Sequence, residues 1–543
     1  MSAREYKIEV RFDEKKIDGI FKGVDQGLLP GAAVGIAIGG VPVYRKGFGL
    51  ASMDLPLLLT PTMRMRIGST SKQFTALAYM MLCEDGAASL DDQVVKHLPE
   101  LHPITRGVTV RQLMGNTSGL RDSADIAVQF SGAEGSPVTA EQLVSLYRQI
   151  DDVNFLPGTA YAYNNGGWVI LSAIIERLTE RALEDVLWER VFKPVGMQDT
   201  MLRRWDCSFV SNSASCHTLK AGRYIRTEML GGRDFAGAGA IVSSVDDMLR
   251  WMAQMDAPTT GTARTWELMK TPQRLANGTS TGYGLGLSTI SYRGVETLQH
   301  AGGGYGSNAQ MLKVPLAGLD IVVLVNRSDQ SSADFANRII DACLPCLDPL
   351  PEPYRGTFAT GVFRSPKSGR VVELRRDSLD YCGAGELQVV AVDGHRLPFA
   401  PDEKGVLHPL PPAHFLNYVL KLSGDRERPS SIELQDFGTK DTLLPIEPAT
   451  RVDGGRISGR YRSDSIGTDI EISATDANGS MNARGPFGSA VHRLECMAEG
   501  VWRTLPEEEL CLPPWGLLSF EKDGEGFRFS NFMNRYLRFK RVG

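Results

Sequence analysis

The chain has 543 residues, 42% of them hydrophobic and 23% charged, which exceeds what one hydrophobic core can organise and excludes a disordered or fibrous protein. A net charge of −5 and a pI near 6.0, with no basic run, argue against nucleic acid as the main partner. No apolar stretch reaches the length of about 18 residues that would suggest a membrane span, the opening "MSAREYKIEVRFDEKK" carries no apolar signal region, and eight cysteines are scattered over the chain, so the expectation is a reducing, cytoplasmic setting without membrane contact.

Residues 33–51, "AVGIAIGGVPVYRKGFGLA", alternate and are rich in valine and isoleucine, and Gly39-Gly40 sits where a hairpin turn belongs. From Ser69 on, Phe74, Leu77, Met81 and Leu82 recur at helical spacing, and Gly86 supplies a stop. Helical patterns continue to about residue 255. Strand patterns then return in "ETLQHAGG", "SNAQMLKVP" and "LDIVVLVNR", followed by a helix in "SADFANRIIDACL". Strands at both ends with helices between them predict an α+β domain over residues 1–347, its sheet completed by the C-terminal strands. Cys343 and Cys346 form a lone C-x-x-C without the second pair a zinc site would want, so no metal is expected.

"DPLPEP" at 348–353 reads as a stiff linker. Beyond it short strands alternate with Gly, Pro and Asp turns, and the pattern repeats. Residues 360–374 align without gaps on 458–472, and "GHRLPFAPDEKGV" at 394–406 answers "VHRLECMAEGV" at 491–501, about 98 residues apart. A duplicated all-β module is therefore expected, two small antiparallel β-barrels or curled sheets over 354–446 and 452–543. The second copy carries eight residues between Pro506 and Trp515 where the first carries three between Pro411 and Phe415. The inserted loop, 506–514, opens with Glu507, Glu508 and Glu509, either a solvated acidic turn or a functional loop.

A serine hydroxyl needs a neighbouring base before it can attack. Ser69 precedes Lys72 by three places at the head of a helical pattern, where i and i+3 share a face. The same Ser-x-x-Lys spacing at Ser519–Lys522 falls in a strand pattern, which throws the two side chains apart. "FLPGTAYAYNNGGWVIL" (155–171) adds Tyr163-Asn164-Asn165 ahead of an apolar helix, and "LQHAGGGYGSN" (298–308) adds His300-Ala301-Gly302 at the end of a strand.

Ser-x-x-Lys, Tyr-x-Asn and His-x-Gly in this order resemble the serine β-lactamase and penicillin-recognising family, on its class C side, over roughly residues 15–345. The two β-modules behind them are similar to those of the three-domain bacterial D-aminopeptidase subgroup. The resemblance implies a β-lactamase/transpeptidase-like fold and a serine peptidase with no cofactor. Ser69 would form an acyl-enzyme, with Lys72 and Tyr163 sharing the base role, Tyr163 as a phenolate whose pKa is lowered by about 3 units. His300 would complete the catalytic set, Asn165 would hold the substrate amide, and Gly302 and Gly303 would line the substrate, the N–H groups of Ser69 and Gly303 forming an oxyanion hole. One of Glu507, Glu508 and Glu509 would hold a substrate ammonium. Position 300 departs from the pattern: most β-lactamases and D,D-carboxypeptidases carry lysine there, and a histidine is a weaker carboxylate anchor. The departure favours aminopeptidase or esterase chemistry, the first reading being an aminopeptidase on short or D-residue-containing peptides. The alternatives are an esterase, a peptidase of linearised microcystin-like peptides, or a non-catalytic ligand sensor. Arg121 and Asp122 either line the cleft or form an ion pair, the latter being the plainer expectation. The oligomeric state, a homodimer included, is left open.

Overall fold

The computed structural model describes residues 8–131, 137–350, 356–377, 387–410, 417–447, 453–505, 516–521 and 524–542. The expected first hairpin forms, with strands Ala32–Ile38 and Val41–Phe48 joined at Gly39-Gly40, both with φ in the left-handed region that glycine permits. The three late strands, Val295–Gly304, Ser307–Val314 and Leu319–Val325, complete the sheet: Leu319–Val325 pairs antiparallel with Ala32–Ile38, Val34 opposite Val323. Six antiparallel strands result, with the two chain ends of the domain side by side at the centre. Ala32–Ile38 is buried on both faces because helices cover both. Helices Glu14–Phe21 and Ser332–Cys343 pack on one face through Phe21, Phe335 and Ile339. Helix Val245–Gln254 lies on the other, so close that a Cβ at Gly35 would fall 2.4 Å from Val245 Cγ1.

The helical region extends past the expected limit of about 255, with a further helix at Ala263–Lys270, and short strands such as Cys216–Lys220 and Arg223–Thr227 interrupt it. Helix Lys72–Glu84 is more than amphipathic: every residue from Lys72 to Met80 is buried, with Phe74 against Trp251 (centroids 4.3 Å apart) and Phe192 (5.4 Å), while Met81 is half-exposed.

The second half forms two closed eight-stranded antiparallel barrels. The first runs from Gly361–Arg364 to Thr439–Ile446 and closes by pairing Val362 with Ile446; the second runs from Gly459–Ser463 to Leu537–Arg541 and closes by pairing Tyr461 with Arg541. Strand Thr468–Thr475 alternates buried and exposed at every residue, as a wall with one wet face requires. Ser519 lies in strand Leu517–Phe520, and Lys522 falls outside the described residues. The second barrel shares one core with the helical region: Phe130, from helix Ser123–Ser131, packs on Phe529 and Phe539 at 5.1 and 5.7 Å, and the His492 ring meets the Gln129 carbonyl at 2.7 Å. The first barrel touches the same region through Phe437 on Tyr161, at 5.0 Å.

Inside the sheet, Lys313 sits 2.5 Å from the carboxylate of Asp320 on the next strand and 2.6 Å from that of Asp256, with Lys313 and Asp320 out of contact with water. Breaking a buried ion pair by removing one partner costs about 3–5 kcal/mol, because the other charge stays behind. Lys313→Met should therefore lower the urea midpoint for loss of the helical circular-dichroism signal, which reports this domain because the barrels carry almost no helix. An unchanged midpoint would show that the pair contributes no net stability.

Candidate active site

Ser69 is held on a tight turn, Gly68–Ser71, that leads into helix Lys72–Glu84. Gly68 takes φ +53, and a Cβ there would lie 2.7 Å from the Gly303 nitrogen, so only glycine lets the turn approach strand Val295–Gly304. Gly302 is as constrained, since its Cβ would fall 1.8 Å from the Ile67 carbonyl oxygen and 3.0 Å from the Ser69 nitrogen. The hydroxyl of Thr70 donates to the His300 carbonyl at 3.2 Å and that of Ser71 to the Gly68 carbonyl at 2.6 Å, fixing the turn to the strand. The backbones of Ser69 and Gly303 are thus brought together, with open space in front of Gly303.

Lys72 follows one helical turn later and is fully buried. Its Nζ donates to Ser69 Oγ at 3.0 Å, Asn165 Oδ1 at 2.8 Å and the Ala238 carbonyl at 2.6 Å. Burial pushes its pKa down to about 7, with the charge of Asp122 opposing the fall. A lysine near 7 is poised to exchange a proton with the serine it touches. The ammonium also lies 4.8 Å from the centre of the Tyr163 ring.

Tyr163 and Asn165 flank the start of helix Asn165–Thr179, whose N-cap is Asn164, accepting from the Gly167 N–H at 2.7 Å. The expected phenolate finds no support. Burial pushes the Tyr163 pKa well above its ordinary value; the Ser69 hydroxyl opposes that rise without meeting the geometry of a formed hydrogen bond. Among the described residues the cation against the ring is Lys72, which is itself held near neutrality. Tyr163 is a neutral phenol in this site.

His300 is also neutral. Its Nδ1 lies 2.6 Å from the Ala301 carbonyl, which can only accept, so Nδ1 carries the proton and Nε2 accepts from the Tyr283 hydroxyl at 2.9 Å. Burial first, then the Lys72 charge, lowers its pKa to about 3. The site therefore presents no cation at position 300 above about pH 3.

Arg121 forms an ion pair, but with Asp152 at 2.8 Å and not with its neighbour Asp122. Asp122 has another task. It is buried and accepts from the N–H groups of Asn165 (2.7 Å) and Gly166 (2.9 Å), so it seats the helix that presents Asn165. Burial and the neighbouring Asp125 push its pKa up to about 6, against these hydrogen bonds. Together the structure assembles Ser69, Lys72, Tyr163, Asn165, His300, Gly302 and Gly303. Glu507, Glu508 and Glu509 lie outside the described residues. Sequence reasoning missed the Ala238 carbonyl, Tyr283 and the seating role of Asp122. "GAGAIVSS" signalled tight packing around Ala238, whereas nothing local marked Tyr283. Among the described residues no group of acidic, His and Cys side chains could hold a metal.

A family model for Beta-lactamase matches residues 17–343, the segment that contains all of these groups. The chain belongs to the Beta-lactamase family. It is 28% identical over 459 residues to a D-aminopeptidase of Brucella canis, covering 81% of this chain and 80% of the relative. A D-aminopeptidase of Cereibacter sphaeroides is 27% identical over 535 residues, 94% of this chain and 96% of the relative, so that match runs through both barrels. The fold is similar to that of an octameric penicillin-binding protein homologue from Pyrococcus abyssi (TM-score 0.54, 20% identity, 97% of this chain and 100% of that one). The D-amino acid amidase of Ochrobactrum anthropi has a similar fold over a smaller share (TM-score 0.52, 22% identity, 61% of this chain and 98% of that one). No helix among the described residues is long and apolar enough to cross a membrane.

Lys72 can accept the Ser69 proton only as a neutral amine, so activity should rise with pH through its pKa. On an uncharged ester, kcat/KM should fall about tenfold per pH unit below a single ionisation near 7. His300, uncharged throughout that range, adds no inflexion. Lys72→Arg, which stays protonated, should abolish the activity. A profile flat from about pH 6 to 9 would exclude Lys72 as the base.

Proposed function

We propose that the protein is a serine peptidase that releases N-terminal residues, D-configured by preference, from short peptides and aminoacyl amides through an acyl-enzyme on Ser69. The observation that carries the reading is the 3.0 Å contact between Ser69 Oγ and a buried Lys72 whose pKa lies near 7. In the proposed sequence neutral Lys72 takes the hydroxyl proton as Oγ attacks the substrate carbonyl carbon. The N–H groups of Ser69 and Gly303 receive the oxyanion, an arrangement in which losing one donor typically costs about 3–4 kcal/mol. Collapse breaks the C–N bond; the neutral Tyr163 phenol gives its proton to the departing amine and regains one from the Lys72 ammonium. Water, deprotonated by the same lysine, then attacks the ester carbonyl; the C–Oγ bond breaks, and the Lys72 ammonium returns its proton to Ser69 Oγ.

The neutral His300 supports the choice of substrate. A carboxylate next to the scissile bond finds no cation there, whereas an amide or a longer peptide needs none. The names of the Brucella and Cereibacter relatives support the D preference. For the free ammonium of such a substrate we retain the proposal that Glu507, Glu508 or Glu509 supplies the carboxylate.

Ser69→Ala should abolish turnover of D-alanyl p-nitroanilide and of a nitrophenyl ester while leaving the thermal transition in place, and Ser519→Ala should do neither. A fluorophosphonate should label Ser69 alone in peptide mapping; an adduct on another serine would overturn the assignment. Across matched D- and L-aminoacyl amides, free and N-acetylated, the free D-substrates should be preferred. Shortening 507–512 should weaken the free-amine substrates about thirty- to a hundredfold, the worth of a partly desolvated ion contact. If the ratio of free-amine to blocked-amine activity survives the deletion, the glutamates do not hold the ammonium.

A further inference from the structure

The last two strands of the second barrel, Gly526–Ser530 and Leu537–Arg541, are joined by a six-residue connection, 531–536. The corresponding strands of the first barrel, Pro429–Asp436 and Thr439–Ile446, are joined by Phe437-Gly438 alone. The longer connection lies against the floor of the active site, 412 residues along the chain from Asp122. Asn534 accepts from the Asp122 N–H at 2.9 Å and donates to the Asp122 carbonyl at 3.2 Å and to Asp125 Oδ2 at 2.7 Å. Asn531 donates to the same Asp125 oxygen at 2.8 Å. Asn154 accepts from the Arg535 N–H at 2.8 Å and donates to the Met533 carbonyl at 2.9 Å, and Arg121 donates to the Arg535 carbonyl. Half-buried Met533 places its sulfur 3.9 Å from Asn165 Nδ2, a weak acceptor for a side-chain amide that has protons to give.

Attachment of the barrel does not require this network. Phe130 on Phe529 and Phe539 already supplies an apolar contact. Buried polar bonds add little net stability, but they fix geometry. Here they converge on the segment whose carboxylate seats Asn165, and Asn165 in turn holds Lys72.

We propose that the 531–536 connection of the second barrel is a working part of the active site: Asn531 and Asn534 are positioning residues for Asp122 and thereby for Asn165 and Lys72, and Met533 forms the wall beside the Asn165 amide that a substrate carbonyl meets. This rests on the acyl-enzyme reading above.

The test uses the full chain, with D-alanyl p-nitroanilide turnover, the rate of fluorophosphonate labelling at Ser69 and the thermal transition measured together. Met533→Ala should raise KM about tenfold with the transition unmoved, and Met533→Leu, which keeps the wall, should recover most of that loss. Asn534→Ala should lower kcat and the labelling rate together, by up to about a hundredfold, as misplacement of catalytic groups by about 1 Å does. A merely structural connection would move the transition and leave KM and the labelling rate of the folded fraction unchanged, and that result overturns the proposal. Should Asn534→Ala fail to fold, the Met533 pair and Asn531→Ser decide on the same readouts. If the unaltered protein neither turns over nor is labelled at Ser69, the acyl-enzyme reading fails and takes this inference with it. If it is active and the variants match it, the inference alone fails.

Discussion

A lysine ammonium with no access to water is the constraint around which this fold is arranged. Desolvation of that charge is offset only where acceptors are supplied at each of its protons, and Lys72 has three: a side-chain hydroxyl, a side-chain amide and a backbone carbonyl. Each comes from a different part of the chain and must be held by something else. Ser69 depends on a turn that only Gly68 and Gly302 allow. The Ala238 carbonyl depends on a bend in which Gly237 leaves no room for a side chain, since its Cβ would fall 2.2 Å from Thr75 Oγ1. Asn165 depends on Asp122. Three acceptors make burial tolerable without making the charge favourable, which is why the pKa falls to about 7 instead of staying near its ordinary value.

The same low dielectric decides the state of the neighbours. Tyr283 and His300 are buried and Tyr163 half-buried in the same site, and desolvation drives each toward its neutral form. A resting site with one titrating cation and neutral aromatic partners can pass a proton from serine to lysine and from phenol to amine without leaving two unbalanced charges. A lysine at position 300 would bring a second cation into the pocket and depress Lys72 further. The histidine, with Nδ1 satisfied by Ala301 and Nε2 by Tyr283, keeps the strand end shaped without adding charge.

Much of this was legible in the sequence, and the exceptions share a cause. The hairpin at Gly39-Gly40, the late strands and the duplicated barrels rest on local patterns: alternation, turn glycines and a repeat. Ser69 and Lys72 were separated from Ser519 and Lys522 by the helix or strand around them, which is again local. Tyr283 and the reach of Asn534 are encoded by nothing near them in the chain, and the small residues around Ala238 do not say what its carbonyl meets, because all three matter through contacts closed only by the fold. Tyr163 failed differently. Its place was readable, but its protonation depends on how completely it is buried, and spacing carries no burial.

The duplication shows where such non-local function is added. Both barrels close in the same way, and their aligned strands keep the same order, so the wall of the module is fixed by the requirement that a sheet leave no open edge. Connections between strands carry no such requirement and can lengthen without disturbing the ladder. In the first copy the last connection is Phe437-Gly438, and its phenyl ring lies on Tyr161 as an apolar contact. In the second it spans 531–536 and replaces that contact with a buried set of hydrogen bonds that join the Asn531 and Asn534 amides to the Asp122 backbone and the Asp125 carboxylate. A packing contact tolerates small displacements; hydrogen bonds to the backbone of the residue that seats helix Asn165–Thr179 do not. Two modules built on one plan thus serve different ends, the first as a lateral support and the second as a fixed point for the residues that hold Lys72.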